Sequence, residues 1–183
     1  MHKSVFVFIC LTGLFFAALL SGCGSEQPTV KLRNTYEGPI LEAFDIELLH
    51  SDSARVKVLL KAPHQLEYVS GNQDFPEGVD ITFFEKTGAR NAHLTADKGY
   101  YDKKDNVYKV TGNVVLVSLT QQNTLKSEEL FWDPQREEIY TETFVEVITD
   151  TEVIQGNGLT ASQDFSEYEI LDVTGHFIVE DML

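Results

Sequence analysis

The stretch that decides the fold occurs twice, first as Leu94-Thr-Ala-Asp-Lys-Gly-Tyr-Tyr-Asp102 and then, 31 residues later, as Leu125-Lys-Ser-Glu-Glu-Leu-Phe-Trp-Asp133. At this offset aromatic residues align with aromatic residues, and Asp102 aligns with Asp133. The apolar run of residues 114–118 aligns with residues 145–149. A looser third copy extends from residue 154 to residue 179. The chain is therefore organised around a β-rich unit that repeats.

The repeat predicts an all-β protein built from β-hairpin units. Elsewhere Val79, Ile81 and Phe83 alternate with polar residues, as expected for half-buried strands. A repeat that cannot bury its own apolar face must stack on its neighbours, which favours an elongated antiparallel structure. An ordinary β-sandwich, whose hairpins resemble one another without being repeats, is the alternative.

The first 22 residues are typical of a secretory signal peptide. Lys3 supplies a positive charge, and residues 4–20 are almost wholly apolar. This apolar run is short for a transmembrane helix, although an uncleaved anchor helix is the alternative. The run ends in Leu20-Ser-Gly-Cys23, which resembles the bacterial lipobox. We therefore expect Cys23 to be lipidated and to anchor the mature protein to a membrane.

The sequence after the signal peptide divides into a tether and one domain. Residues 23–42 are polar, contain Pro28 and Pro39, and are predicted to form a lipidated tether. Residues 43–183 are predicted to form a single domain. The two cysteines of the chain are Cys10 and Cys23, so the domain can contain no disulfide.

The chain is strongly acidic, with a formal net charge of −15 at pH 7. This charge excludes a nucleic-acid-binding protein of the usual basic kind. It also argues against electrostatic docking onto anionic lipid headgroups. Solubility alone is an equally good explanation of the acidity.

The sequence gives little indication of catalysis, and we predict no cofactor and no metal. The histidines after the signal peptide are His50, His64, His93 and His176, and none forms a pair with metal-ligand spacing. The chain has no Gly-x-Ser-x-Gly nucleophile elbow and no phosphate-binding glycine loop. A lipoprotein hydrolase that uses dispersed carboxylates is an alternative, since such residues would meet only in the folded chain.

Several segments, taken in order, resemble the LptC family of lipopolysaccharide export proteins, which also includes the soluble bridge protein LptA. The segments are Phe75-Pro-Glu-Gly-Val-Asp-Ile-Thr-Phe-Phe84, the two aromatic repeats, Tyr108-Lys-Val-Thr-Gly-Asn-Val114 and Ile154-Gln-Gly-Asn-Gly-Leu-Thr-Ala161. The resemblance implies an open, V-shaped antiparallel β-jelly roll whose groove carries the acyl chains of lipopolysaccharide. It also implies docking to an inner-membrane ABC transporter at one end and handover to an LptA-like bridge jelly roll at the other.

Better-known members of that family have an N-terminal transmembrane helix, whereas this chain has a lipobox-like sequence. We therefore expect a protein lipid-anchored at the periplasmic side of the inner membrane, with sorting to the outer membrane as the alternative. A structural or adhesion lipoprotein with a closed core is the competing function.

Strand alternation predicts which residues line the groove, and the position of the last strand predicts the partner edge. The predicted groove residues are Val56, Val58, Leu60, Val79, Ile81, Phe83, Tyr108, Val110, Val114, Leu116, Val145, Val147, Phe177 and Val179. The predicted partner edge is His176, Phe177, Ile178, Val179 and Glu180.

Overall fold

The computed structural model describes residues 36–178, which form strands and turns and contain no helix. The predicted signal peptide, Cys23, most of the tether, and Val179 and Glu180 lie outside the described residues. The strands are β1 Leu41–Asp52, β2 Arg55–Glu67, β3 Gln73–Phe75, β4 Val79–Phe84, β5 Arg90–Ala96, β6 Lys98–Asp102, β7 Val107–Ser118, β8 Thr124–Asp133, β9 Glu138–Ile148, β10 Glu152–Ser162 and β11 Tyr168–Ile178.

All eleven strands belong to one antiparallel sheet, which confirms the all-β, jelly-roll-like prediction. Strands β2, β4, β5, β7, β6 and β3 pair in a closed circuit, because β7 contacts both β5 and β6. From β7 the sheet continues through β8, β9 and β10 to β11. Among the described strands, β1 and β11 each have one partner and form the two free edges.

The long strands bend near their middle, and this bend divides the sheet into two layers. In β7 the bend falls at Gly112 and Asn113, whose φ angles of 78° and 46° lie in the left-handed region. Asn113 Nδ2 donates to Asp97 Oδ2 at 2.7 Å, which fixes the bend against the junction of β5 and β6. An irregular pair of residues of this kind is a β-bulge, which kinks a strand and increases its twist.

Layer A contains β3, β6 and the half of each long strand that pairs beside them. Layer B contains β4, β5 and the remaining halves of the long strands. The turns at the open ends of the two layers face each other. We name turns 103–106, 134–137 and 163–167, with the strand ends beside them, lip A. Turns 53–54, 85–89, 119–123 and 149–151, with the strand ends beside them, form lip B.

The repeat seen in the sequence is also present in the turns of lip A. Asp102 Oδ1 accepts from the backbone N–H groups of Lys104 and Asp105, at 2.8 and 3.2 Å. Asp133 Oδ1 accepts from the residues two and three positions later, at 2.8 and 3.1 Å. The two aspartates therefore close equivalent turns 31 residues apart, as the aligned sequences suggested.

Candidate functional site

One row of apolar side chains crosses layer B from strand to strand. Each member lies directly opposite the next in the antiparallel pairing, so the side chains point to the same face of the sheet. The row is Leu48, Leu60, Ile81, Leu94, Leu116, Leu125, Val147 and Ile154, from β1 to β10. We call it the apolar row. Its central members are almost fully buried, whereas Leu48 and Ile154 at its ends are half-buried.

Layer A covers the apolar row with a second apolar surface. Its buried side chains include Phe75, Val110, Leu130 and Ile139. The layers meet where Phe83 of layer B contacts Trp132 of layer A edge to face, with ring centroids 5.5 Å apart. Such a contact between distant strands shows that the two layers enclose a shared interior.

Most predicted groove residues lie in this interior. One cluster contains Val58, Leu60, Val79, Ile81, Phe83, Val110, Val114, Leu116, Val145 and Val147. Tyr108 packs against the cluster at its edge and stacks on Trp132, with 4.9 Å between ring centroids. Their inward orientation agrees with the strand alternation.

Two predicted groove residues are placed differently. Val56 is 38% exposed, because Lys57 is an extra residue of β2 between the pairs His50–Val58 and Ser51–Val56. Phe177 is 48% exposed and lies opposite Val153, on the outward face. Its expected inward orientation is wrong.

The phase of β11 is shifted by one extra residue at Thr174, which lies between the pairs Gly156–Val173 and Gln155–Gly175. The pairing instead places His176 opposite Ile154, at the end of the apolar row. His176 Nε2 contacts Glu152 Oε2 at 2.5 Å, so the row ends at β11 in a polar pair.

Sequence reasoning missed several interior residues of β5, β8 and β10. Leu94 and Leu125 were seen only as repeat markers, yet both lie in the centre of the apolar row. Trp132 was seen only as an aligned aromatic, yet it is 3% exposed. The 31-residue offset of the repeat indicates that Leu94 and Leu125 are equivalent, because each is the first residue of its aligned segment.

Polar contacts between the lips are few and weak in the described chain. Lys57 Nζ donates to Glu137 Oε1 at 3.1 Å, but the glutamate side chain is mostly exposed. An exposed ion pair of this kind contributes about 0–1 kcal/mol. Asn91 Nδ2 donates to Asp164 Oδ2 at 3.5 Å, which is longer than an ordinary hydrogen bond.

The Asn91 side chain also leaves its Oδ1 atom buried without a hydrogen-bond partner among residues 36–178. An unpaired buried acceptor costs about 1–3 kcal/mol relative to the solvated state. A cleft of about 550 Å³ lies beside Asn91 and is lined by residues of both lips, including Lys57, Thr87, Glu137 and Asp164. The polar groups at the mouth therefore do little to hold it closed.

Burial raises the pKa of two tyrosines near the mouth. Burial raises the pKa of Tyr108 to about 12, and the neighbouring Tyr101 adds to the rise. Burial also raises the pKa of Tyr168, followed in size by the charge of Glu152. Glu152 lies in layer B and Tyr168 in layer A.

The arrangement can enclose an apolar ligand between its two layers. Within residues 36–178, no group of three or more histidine, cysteine, aspartate or glutamate residues is placed to hold a metal ion. Among the same residues, no helix is long and apolar enough to cross a membrane.

Comparison with known families identifies the architecture. Residues 6–177 match the family described as Lipopolysaccharide-assembly, LptC-related. The chain belongs to the LptC family. The match covers nearly the whole chain and confirms the resemblance seen in the sequence. No curated protein matches the chain.

Membership of the LptC family gives the protein a role in lipopolysaccharide transport. Proteins of the LptC family are periplasmic components of the Lpt transport system, and they act in transport and not as enzymes. The apolar row and its cover are therefore the candidate site for the lipid part of the transported molecule.

Proposed function

We propose that this LptC-family protein accepts lipopolysaccharide from an inner-membrane ABC transporter and passes it to an LptA-like bridge jelly roll. The acyl chains lie between layers A and B, along the apolar row. The observation that carries the proposal is the continuity of this row, which crosses eight strands without a polar side chain. With strands about 4.8 Å apart, the row is roughly 34 Å long.

The interior provides a physical reason for lipid to enter. Each methylene group removed from water contributes about 0.8 kcal/mol, so a long acyl chain gains substantially from this interior. The interior side chains are packed against one another, so the layers must separate to admit a chain. The weak polar contacts between the lips favour such a separation. Lipid then moves along the row because the transporter supplies more of it from behind.

The two free edges provide places for the partner proteins. An edge strand presents unpaired N–H and C=O groups, to which another jelly roll can add a strand. We assign the bridge protein to β11, through the predicted edge of residues 176–180. Addition of a strand there extends the sheet beyond His176, which pairs with Ile154 at the β10 end of the apolar row.

Lipidation of Cys23 would hold the domain at the periplasmic side of the inner membrane, close to the transporter. Metabolic labelling with an alkyne fatty acid tests this, since Cys23→Ser should lose the label and leave the membrane fraction. Labelling and membrane association that are unchanged in Cys23→Ser contradict the anchor without affecting the proposed groove.

Photo-crosslinking in cells tests the groove. A photoreactive amino acid at Leu116 lies in the centre of the apolar row, and the same amino acid at Val115 lies on the opposite face of β7. We expect lipopolysaccharide adducts from position 116 and few from position 115. Equal adducts from both positions, or none from position 116 in a folded protein, would favour the closed-core structural lipoprotein.

A further inference from the structure

The turn between β10 and β11 contains a buried phenylalanine in an unfavourable backbone conformation. Phe165 has a φ angle of 54°, in the left-handed region that favours glycine and asparagine. The other two lip A turns place polar residues at positive φ, namely Asn106 and Glu137. Phe165 is nevertheless fully buried and belongs to the interior cluster. The turn geometry does not require a phenylalanine, so the side chain itself must matter.

The neighbours of Phe165 connect the turn to both layers. Its ring stacks on Tyr168 of layer A, with 5.0 Å between centroids. The preceding residue, Asp164, contacts Asn91 of layer B at 3.5 Å. The residue before that, Gln163, accepts a hydrogen bond from Trp132 Nε1 at 3.2 Å. The turn therefore reaches across the mouth to β5 and inserts one aromatic ring into the interior.

We propose that turn 163–167 is a gate, and that the place filled by the Phe165 ring is a subsite for one acyl chain. In the closed form, Phe165 occupies this subsite itself. When lipid enters, the ring moves out and a saturated chain takes its position. Three features of the closed form favour this exchange, namely the strained φ angle, the long Asn91–Asp164 contact and the unpaired Asn91 Oδ1. Opening of the gate relieves the strained φ angle of Phe165 and lets water reach Asn91 Oδ1.

This inference rests on the proposed lipid-binding function but places a specific element in control of entry. A purely structural role for Phe165 is the competing explanation, since a buried ring also stabilises any core. The two roles predict different effects of removing the Phe165 ring. Loss of a gate speeds the entry of lipid, whereas loss of a core residue does not.

A reversible crosslink tests the gate in the full-length protein. Asn91→Cys combined with Asp164→Cys joins the lips where the two side chains already approach to 3.5 Å. Once non-reducing electrophoresis shows the new disulfide, we expect the oxidised protein not to load purified lipopolysaccharide and the reduced protein to load it. The original protein under the same oxidant controls for Cys10 and Cys23. Equal loading before and after reduction would overturn the gate.

Removal of the ring provides the second test. Phe165→Ala should increase the rate of lipopolysaccharide loading several-fold while circular dichroism shows a folded protein. Where alanine prevents folding, Phe165→Leu keeps an apolar side chain and should give a smaller increase. A folded variant that loads at the original rate, or more slowly, assigns Phe165 a structural role only.

The single tryptophan of the chain reports directly on the subsite, because Trp132 contacts the gate turn. A fatty acid brominated along its chain should quench Trp132 fluorescence, whereas the unbrominated fatty acid should not. Lipopolysaccharide adducts at position 116 without quenching by the brominated chain would contradict the gate and leave the transport function standing. Absence of both would contradict the two proposals together.

Discussion

Phe83 and Trp132 meet edge to face across the interior, with an interplanar angle of 86°, although 49 residues of sequence separate them. Phe83 is the penultimate residue of β4 in layer B, and Trp132 is the penultimate residue of β8 in layer A. Both rings are almost fully buried. The pair therefore holds the layers together just inside the mouth, where the polar contacts between the lips are weak.

Trp132→Ala should destabilise the domain strongly, because it removes a buried aromatic side chain and leaves a cavity between the layers. The expected loss in the free energy of unfolding is about 3–5 kcal/mol. Phe131→Ala is the matched control, since Phe131 is the adjacent residue on the outward face and stacks on Tyr140 at 5.1 Å. Phe131→Ala should lower the free energy of unfolding by only about 1 kcal/mol. Urea denaturation followed by circular dichroism measures both, and equal losses would contradict the assignment of Trp132 to the interface between layers.

Asp102→Ala and Asp133→Ala should each destabilise the domain by about 1–2 kcal/mol, because each carboxylate accepts two backbone N–H groups in its turn. The loss should be larger at Asp133, which is buried and also pairs with Arg136 at 3.0 Å. Asp102→Asn keeps an acceptor oxygen and should be close to the original protein in thermal melting. A neutral effect of both alanine variants would mean that the repeated aspartates do not stabilise their turns.

The Asp102 and Asp133 turns could be predicted from the sequence, whereas the contact between Phe83 and Trp132 could not. The Asp102 and Asp133 turns repeat at a fixed offset, so two local signals supported each other. In β4 and β9, Val79, Ile81, Phe83, Val145 and Val147 keep a strict period of two, which is enough to assign their faces. The contact of Phe83 with Trp132 arises from the folding of one layer onto another, which no local pattern encodes.

The errors at Phe177 and Val56 have a common physical cause. Alternation assigns faces correctly only while the pairing register is unbroken, and one extra residue reverses every later side chain. Thr174 is such a residue in β11, and nothing in the apolar pattern around it marks a bulge. Asn91 and Phe165 were missed for another reason, since their importance depends on the opposite lip.

Stability should fall at alkaline pH because of Tyr108. Burial raises the pKa of its hydroxyl from 10.0 to about 12, so the unfolded chain releases this proton first as the pH rises. The protonated Tyr108 hydroxyl therefore contributes to the free energy of unfolding in full below about pH 10. This contribution is lost as the pH rises towards about 12, at up to about 1.4 kcal/mol per pH unit. Tyr108→Phe cannot ionise at this position and should show a shallower decline in urea midpoint. The same decline in both proteins would contradict the burial of this hydroxyl.

The last prediction distinguishes the two free edges of the sheet. A proline deletes a backbone donor and should prevent strand addition by a partner jelly roll. Ile178→Pro places it in β11, and Leu49→Pro places it in β1, where Leu49 pairs with Leu59 and is largely exposed. We expect Ile178→Pro to abolish capture of a purified LptA-like bridge protein in a pull-down, while Leu49→Pro retains it. Capture is compared only after circular dichroism shows that both variants are folded. If Leu49→Pro alone abolishes capture, the bridge protein docks on β1, and the lipid leaves the apolar row at Leu48 instead of at Ile154.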